Sequence, residues 1–315
     1  MNRCQICPNN CILERNTICG RKPDINENVV ETTAIAVDPI EKKPLYHFLP
    51  GSKTLSIGTL GCNLKCLNCQ NHSIAQPKNP LSVPTKKVTP ESIVNVAVEN
   101  NLESISWTYN EPTIYPEWII NTAKIAQDYN IKTILVSNGY TSQKTLDDLI
   151  NYVDAVNIDL KSSDDTFYRE VCSGKIEPVL NSIRSYCENQ IHTEVTTLLI
   201  PGYNDDLSSI NNIVDIIKCI SKKIVLHFSA FYPQFKLMNV PPTIDETVIN
   251  ACDIAKNNGL KYVYPGNTYP SLDDNTYCEN CNEILIKREY YEVINNITSD
   301  KKCPNCGKYM ENIIL

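Results

Sequence analysis

The chain has 315 residues, a net charge of −7 and a hydrophobic content of 42%, the composition of a globular protein with an apolar core. The acidic balance argues against a nucleic-acid-binding protein, because such proteins usually present a basic face. We find no apolar run of about 18 residues, the length that would span a membrane. The sequence MNRCQICPNN also lacks the apolar core of a signal peptide. We therefore expect a cytoplasmic protein with no membrane or nucleic-acid partner.

Short apolar or β-branched runs alternate with helical patterns through the middle of the chain. The predicted strands lie at 54–60, 103–108, 132–137, 154–159, 193–200, 224–230 and 261–264. One predicted helix begins near Pro90, and the others lie at 115–129, 142–151, 176–190, 208–221 and 244–258. Strand followed by helix, repeated six times, predicts a parallel sheet with right-handed crossovers. Because a closed barrel needs eight such units, we expect an α/β fold that forms a partial, TIM-like (β/α)6 barrel.

This organisation divides the chain into three predicted domains. Residues 1–53 form an N-terminal four-cysteine segment with an extended lead-in, residues 54–270 form the partial barrel, and residues 271–315 form a zinc-ribbon-like domain. Polar residues gather where the predicted strands end, which is the rim at which α/β barrels build their active sites. The alternative explanation is that βα turns simply favour Gly, Asn and Asp.

Eleven of the fifteen cysteines fall into three clusters, a grouping that metal binding requires and disulfides do not. Cys62, Cys66 and Cys69, here called the cysteine triad, form a C-x3-C-x2-C motif directly after the first predicted strand. Iron–sulfur clusters are usually held by four cysteines, so three would leave one iron of a [4Fe-4S] cluster open to a further ligand. The alternative is a zinc site that lacks one ligand.

The C-terminal cysteines, Cys278, Cys281, Cys303 and Cys306, form two C-x2-C knuckles with the spacing of a zinc ribbon, and predict structural zinc. Docking to a protein is the extra role that this unit favours. The N-terminal cysteines, Cys4, Cys7, Cys11 and Cys19, match no standard pair of zinc knuckles. They predict either structural zinc or a second iron–sulfur cluster that relays electrons; the Cys7-Pro8 pair is similar to that of ferredoxin loops. The isolated Cys172, Cys187, Cys219 and Cys252 are interpreted as small hydrophobic residues.

Several blocks carry a family resemblance, and they occur in the expected order over nearly the whole chain. They are VDPIEKKPLYHFLPGSKTLSIGTLGCNLKCLNCQNHSIAQ, TYNEP, VSNGY, NIDLKS, IPGYNDD, HFSAFYP with the later VPPT, and YVYPGNT. The sequence resembles the radical S-adenosylmethionine (SAM) enzymes of the AmmeMemoRadiSam system, which are relatives of pyruvate formate-lyase activating enzymes. The resemblance implies that the triad holds a [4Fe-4S] cluster whose open iron binds SAM.

The resemblance also implies residue roles near that cofactor. Asn110 and Glu111 match a motif that binds the amino group of SAM, and Asp159 and Lys161 match an Asp-Leu-Lys motif beside it. Ser137 matches a position that helps to hold a monovalent cation near the cofactor carboxylate, and His227 matches a histidine near the cofactor. Each has a structural alternative: Glu111 as a first-turn helix acid, Asp159 and Lys161 as an ion pair, and His227 as a core histidine.

Three functions remain open from the sequence. The first is an activating enzyme that installs a glycyl radical on a partner enzyme. The second, slightly favoured, is a radical enzyme in which a 5′-deoxyadenosyl radical abstracts hydrogen from another, unidentified substrate. The third is a metal-binding scaffold without activity. The implied partners are SAM, a reduced donor of the ferredoxin or flavodoxin type, and Memo-like and AMMECR-like pathway proteins.

Overall fold

The computed structural model describes residues 2–15, 17–21, 28–268 and 272–315. In these ranges a nine-stranded sheet has the order β3-β1-β2-β4-β5-β6-β7-β8-β9. Its strands are β1 Val30–Pro39, β2 Lys53–Thr59, β3 Lys86–Val88, β4 Ser104–Trp107, β5 Lys132–Ser137, β6 Ala155–Asp159, β7 His192–Leu199, β8 Val225–Ala230 and β9 Val263–Gly266. The seven strands β2, β4, β5, β6, β7, β8 and β9 pair in parallel in that order, whereas β1 is antiparallel to both β2 and β3.

Helices connect the parallel strands. They are α1 His72–Ala75, α2 Pro90–Glu99, α3 Pro116–Asp128, α4 Gln143–Leu149, α5 Asp165–Phe167 with a π-helical turn at Tyr168–Cys172, α6 Glu177–Glu188, α7 Leu207–Ile220 and α8 Asp245–Asn257. Local sequence sets their ends: Thr89 and Ser92 form a capping box at the start of α2, and the Asp206 side chain accepts hydrogen bonds from two backbone N–H groups of α7. The prediction of an α/β fold with a mostly parallel central sheet is confirmed, and this fold is consistent with a partial barrel.

The two faces of the parallel sheet differ in polarity. The side chains that pack beneath the helices in the main hydrophobic core include Ile57, Ile105, Trp107, Val156, Ile158, Val195, Leu226 and Phe228. The opposite face is polar: the Thr54 and Ser106 hydroxyls lie 2.7 Å apart, and Thr196 Oγ1 donates to Asn157 Oδ1 at 3.0 Å. The helices thus stabilise one face by apolar burial and leave the other face for polar chemistry.

A segment between β1 and β2 covers the polar face near the amino ends of β5 and β6. Its residues Ile40, Leu45 and Phe48 pack with Ile134 and Ala155 in a separate small core. We call residues 40–49 the floor segment. It covers the end of the sheet opposite the one at which the parallel strands terminate, and the predicted site lies at the carboxyl edge.

A second, antiparallel sheet follows the large one. It contains β10 Thr276–Tyr277, β11 Ile284–Glu289 and β12 Glu292–Asn295. Its small core includes Leu285, Ile286, Met310 and Ile313. The predicted boundaries at residues 53 and 270 stay predictions, and β1, which precedes residue 53, is part of the large sheet. In the described part of the chain, no helix combines the length and the apolar character needed to cross a bilayer.

Candidate active site

The cysteine triad lies on the loop that leaves β2, and backbone hydrogen bonds fix this loop from two sides. Lys65 N donates to Cys172 O and Leu67 N donates to Val171 O, both at 2.9 Å, so the loop pairs with the π-helical turn after β6. On the other side, Lys236 N donates to Leu67 O at 3.0 Å. The loop that presents the three thiols is therefore anchored to the protein by its own backbone on two sides.

Asn138, directly after β5, connects the triad to the neighbouring strand ends. Its Nδ2 lies 3.5 Å from Cys62 Sγ and donates to Asn63 Oδ1 at 2.9 Å. Asn63 Nδ2 in turn donates to Tyr140 O at 2.7 Å. Asn138 therefore places a hydrogen-bond donor against one thiol of the triad. Sequence reasoning missed it, although its position beside Ser137 in a strand-end Asn-Gly pair was a usable signal.

Glu111, after β4, binds the two adjacent strand ends through one buried carboxylate. Its Oε1 accepts from Thr113 N, Thr113 Oγ1 and Ser137 Oγ at 2.7–3.0 Å, and its Oε2 accepts from Asn138 N at 2.7 Å. The side chain is 1% exposed. Burial raises the pKa of Glu111, and the hydrogen bonds from Thr113, Asn138 and Ser137 limit that rise. Glu111 and Ser137 are thus brought together at the rim.

Asn110 uses its side chain to hold the end of β2. Its Oδ1 accepts from Thr59 N at 2.9 Å, and its Nδ2 donates to Thr59 Oγ1 at 2.8 Å and to Gly61 O at 2.6 Å. These bonds fix the backbone immediately before Cys62. The arrangement shows a positioning role for Asn110, while a direct contact between Asn110 and SAM stays a prediction.

Asp159 and Lys161 form an ion pair at the carboxyl end of β6, with Lys161 Nζ 2.8 Å from Asp159 Oδ2. Burial alone would lower the pKa of Lys161, but the negative charges of Asp159, Cys66 and Cys172 raise it well above its ordinary value. Lys161 therefore carries a stable positive charge beside the thiols of the triad. This charge complements the negative charge of a thiolate-bound metal centre.

His227 lies in β8 on the polar face, in the same row as Asp159 because both residues pair with Thr196. Its Nε2 lies 2.6 Å from Oε2 of the buried Glu194. Glu194 also accepts from the backbone N–H groups of Tyr46 and His47. His227 is thus joined to the floor segment, and its predicted contact with SAM stays a prediction.

Two further groups near the site were not found from the sequence. The thiol of Cys172 lies close to that of Cys66 and raises its pKa, and no sequence pattern connects the two residues. The second group consists of Tyr109, Asp38 and Lys43. The Tyr109 hydroxyl donates to Asp38 Oδ2 at 2.9 Å, and Lys43 Nζ lies 2.9 Å from the same oxygen. Both groups join residues far apart in the chain, so no local pattern predicts them.

Comparison with known proteins agrees with this geometry. Residues 56–211 match the family model described as the Radical SAM superfamily. The chain belongs to this superfamily. An uncharacterised protein of Methanocaldococcus jannaschii is 39% identical over 99% of this chain and 96% of its own length. The pyruvate formate-lyase-activating enzyme of Clostridium pasteurianum is 22% identical over 54% of this chain and 71% of its own. The solved structure of a radical SAM methyltransferase from Sphaerobacter thermophilus has a similar fold, with a TM-score of 0.53 at 14% identity over 70% of this chain and 68% of that one.

Radical SAM membership implies a [4Fe-4S] cluster and SAM, and the residues at the rim fit both groups. The triad offers three thiols on one fixed loop, Asn138 places a donor on Cys62 Sγ, and Lys161 adds positive charge. Polar groups at the ends of β4, β5 and β6 surround this loop. Direct contacts of Asn110, Glu111, Ser137, Asp159, Lys161 and His227 with SAM stay predictions.

The C-terminal cysteines form the most compact thiol group. Their four Sγ atoms lie within 4.8 Å of one another and could hold a metal ion. Within the described ranges, no other group of three or more His, Cys, Asp or Glu residues converges so closely. The predicted gathering of these four thiols is confirmed, and the identity of the metal stays a prediction.

Proposed function

We propose that this chain is an enzyme that cleaves SAM reductively at the cysteine triad and uses the product radical to abstract hydrogen from a substrate. The observation that carries the proposal is the triad's position on the strand-end loop of a radical SAM fold. When bound, a reduced [4Fe-4S] cluster supplies the electron that splits SAM into methionine and a 5′-deoxyadenosyl radical. Cys62, Cys66 and Cys69 would hold this cluster as thiolates.

The surrounding residues would bind and orient SAM. Lys161 supplies a fixed positive charge for the carboxylate of SAM, and Asp159 holds the lysine by its 2.8 Å ion pair. Glu111 aligns the ends of β4 and β5, where Ser137 and backbone groups can contact the polar part of the cofactor. The polar face of the sheet beneath the rim would receive the substrate.

The assay that tests this proposal measures 5′-deoxyadenosine formed from SAM. The protein is reconstituted with iron and sulfide without oxygen, reduced, and compared with a Cys62→Ala, Cys66→Ala, Cys69→Ala variant. Cys219→Ser, which alters an exposed cysteine on α7, is the matched control. We expect product from the wild type and the control but not from the triad variant. Product formed by the triad variant would overturn the proposal.

A second candidate function is the activation of a glycyl-radical enzyme. Its support is the similarity to the pyruvate formate-lyase-activating enzyme and to the choline trimethylamine-lyase activating enzyme of Oleidesulfovibrio alaskensis, which is 21% identical over 71% of each chain. Cell extract from cultures fed α-deuterated glycine distinguishes the two candidates. If the protein fraction of the extract transfers deuterium to 5′-deoxyadenosine, this would support activation of a glycyl-radical enzyme. If only the small-molecule fraction serves as hydrogen donor, this second function would be excluded.

We also propose that the C-terminal cysteines bind structural zinc. Cys278 Sγ lies 3.6 Å from Cys306 Sγ, and Cys281 Sγ lies 3.6 Å from Cys303 Sγ. Four sulfurs about 2.3 Å from a tetrahedral zinc ion would lie about 3.8 Å apart, close to these distances. Elemental analysis should find zinc in the wild type and lose it in Cys281→Ser; zinc content unaffected by the substitution would contradict this assignment.

The partners of this activity remain proposals as well. The triad needs a low-potential reductant, for which a ferredoxin or flavodoxin type of donor is suitable. The resemblance to the AmmeMemoRadiSam system further suggests Memo-like and AMMECR-like proteins of a shared pathway. Affinity purification of the chain from its own cells tests these associations, and recovery of neither protein class would count against that system.

A further inference from the structure

The N-terminal cysteines are drawn together by the local fold of the chain. Cys4 N donates to Cys11 O at 2.8 Å, beside an antiparallel bridge between Arg3 and Ile12, so Cys4 and Cys11 lie side by side on two antiparallel segments. Cys7 is buried in the turn between them. Cys4, Cys7 and Cys11 therefore lie on one short hairpin, and Cys19 follows in the segment that contacts Gly61.

This four-cysteine unit is docked directly on the triad loop. Asn9 Nδ2 donates to the carbonyl of Asn63, which follows Cys62, at 2.7 Å. The carbonyl of Cys19 lies so close to Gly61, which precedes Cys62, that a Cβ there would approach it to 1.9 Å. Gly61 also has a φ of +98°, a backbone conformation that favours glycine. The close approach of the two segments thus depends on the absence of a side chain at residue 61.

Further contacts anchor the same unit at the rim. Ser142 N donates to Ile6 O at 3.0 Å, and Ser142 Oγ donates to Gln5 O at 2.5 Å. Arg21 forms an ion pair with Glu117 of α3 at 3.0 Å. The unit is therefore held against the loops that follow β2 and β5, on the side where the triad lies.

We propose that Cys4, Cys7, Cys11 and Cys19 hold a second iron–sulfur cluster, through which electrons reach the triad. A single zinc ion needs its four thiolates to converge, as the C-terminal cysteines do. In the described residues, no three of the N-terminal thiols converge within the 4.8 Å that unites the C-terminal group, and the same holds for the triad. Wider spacing suits a cluster, in which different cysteines bind different iron atoms.

The role follows from the position of the unit and rests on the proposed function. One electron from a reduced ferredoxin- or flavodoxin-type donor would reduce the N-terminal cluster and pass to the triad site, where cleavage of the SAM sulfonium consumes it. In each catalytic cycle the N-terminal cluster would thus be reduced once and oxidised once, so its oxidation state would be the same at the end as at the start. The contacts of Asn9 and Cys19 with the residues on both sides of Cys62 give this transfer a short path.

Metal analysis of the triad variant tests the new site independently of SAM cleavage. After anaerobic reconstitution, the Cys62→Ala, Cys66→Ala, Cys69→Ala variant should retain about two to four iron atoms per chain, equal sulfide and visible cluster absorption. Adding Cys7→Ser and Cys11→Ser should remove this iron. Zinc without iron and sulfide in the triad variant would overturn the proposal, whether or not the wild type cleaves SAM.

The electron path is tested in the chain with an intact triad. We would compare 5′-deoxyadenosine formation driven by a reduced ferredoxin with formation driven by dithionite, a small reductant that can reach the triad directly. In the Cys7→Ser, Cys11→Ser variant, the ratio of the ferredoxin-driven to the dithionite-driven rate should fall, whereas Cys219→Ser should keep the wild-type ratio. An unchanged ratio in the double variant would overturn the relay role.

Discussion

At the scale of single residues, buried acids hold the site and its floor together. Glu111 illustrates this, because its carboxylate accepts two hydrogen bonds from Thr113, after β4, and one each from Ser137 and Asn138 at the end of β5. Both carboxylate oxygens accept hydrogen bonds. A glutamine at this position would replace one accepting oxygen with an NH₂ group, which would face a donor of the protein. A carboxylate used in this way positions its neighbours, whether or not it also touches SAM.

We therefore predict that Glu111→Gln destabilises the protein by about 1–3 kcal/mol, the usual cost of an unsatisfied buried polar group. The substitution should also reduce SAM cleavage, because the backbone of Asn138 would no longer be held beside Cys62. Chemical denaturation and the 5′-deoxyadenosine assay measure the two effects. Glu177→Gln, on the exposed side of α6, is the control, and equal stability of the two variants would refute this account of Glu111.

Glu194 makes stability dependent on pH. Burial alone would raise its pKa, but hydrogen bonds from His192 and His227 lower it below the ordinary value. A lowered pKa in the folded state means that the stabilisation is present above the unfolded pKa of about 4.3 and is lost as the pH falls below it. We predict that the melting temperature of the wild type falls below about pH 4 more steeply than that of Glu194→Gln. Parallel pH profiles of the two proteins would contradict this.

At the scale of elements, β11 ties the C-terminal sheet to the floor segment. The guanidinium of Arg288 stacks 4.2 Å from the ring centroid of Tyr46 and donates to Tyr46 O at 2.7 Å. The same side chain donates to Asp274 O and Thr276 Oγ1, so it is buried with partners on both units. The backbone of Tyr46 also binds Glu194, which links the second sheet to β7 and β8.

Arg288→Ala should therefore loosen the floor segment as well as the second sheet. We expect a loss of about 1–3 kcal/mol, because the substitution leaves buried carbonyl groups without donors. Hydrogen exchange of the amides at 44–49 should become faster in this variant. Lys287→Ala, which alters the exposed neighbour on the same strand, is the control; if exchange at 44–49 does not change in Arg288→Ala, the two units are not coupled in this way.

At the scale of the whole molecule, the sequence predicted what depends on local pattern. The seven parallel strands have the short apolar runs of buried strands, and their positions agree within two residues of the predicted ones. β1 was predicted only as an extended lead-in. It pairs antiparallel with β2 and several of its side chains are partly exposed, so its sequence lacks the continuous apolar run of a buried parallel strand. β3 has three residues and is too short to give a periodic signal.

The contacts that assemble the site were beyond the sequence for a different reason. Asn9 meets Asn63 and Asn138 meets Cys62 across more than fifty residues of chain, and only the folded sheet brings them together. The triad itself was readable because its three cysteines share one short loop. The residues around the triad could be predicted only as polar residues at strand ends. The sequence did not indicate which groups each of them contacts.

The central claim is that the triad holds a cluster whose open iron binds SAM. Electron paramagnetic resonance of the reduced protein tests it most directly, in the Cys7→Ser, Cys11→Ser background so that one cluster is observed. We predict that SAM changes the spectrum of that cluster, that SAM labelled with ¹⁵N at its amino group shows a hyperfine coupling to it, and that the signal is absent when the triad is also replaced by alanine. A cluster signal that survives replacement of the triad, or a triad signal that SAM leaves unchanged, would contradict the claim.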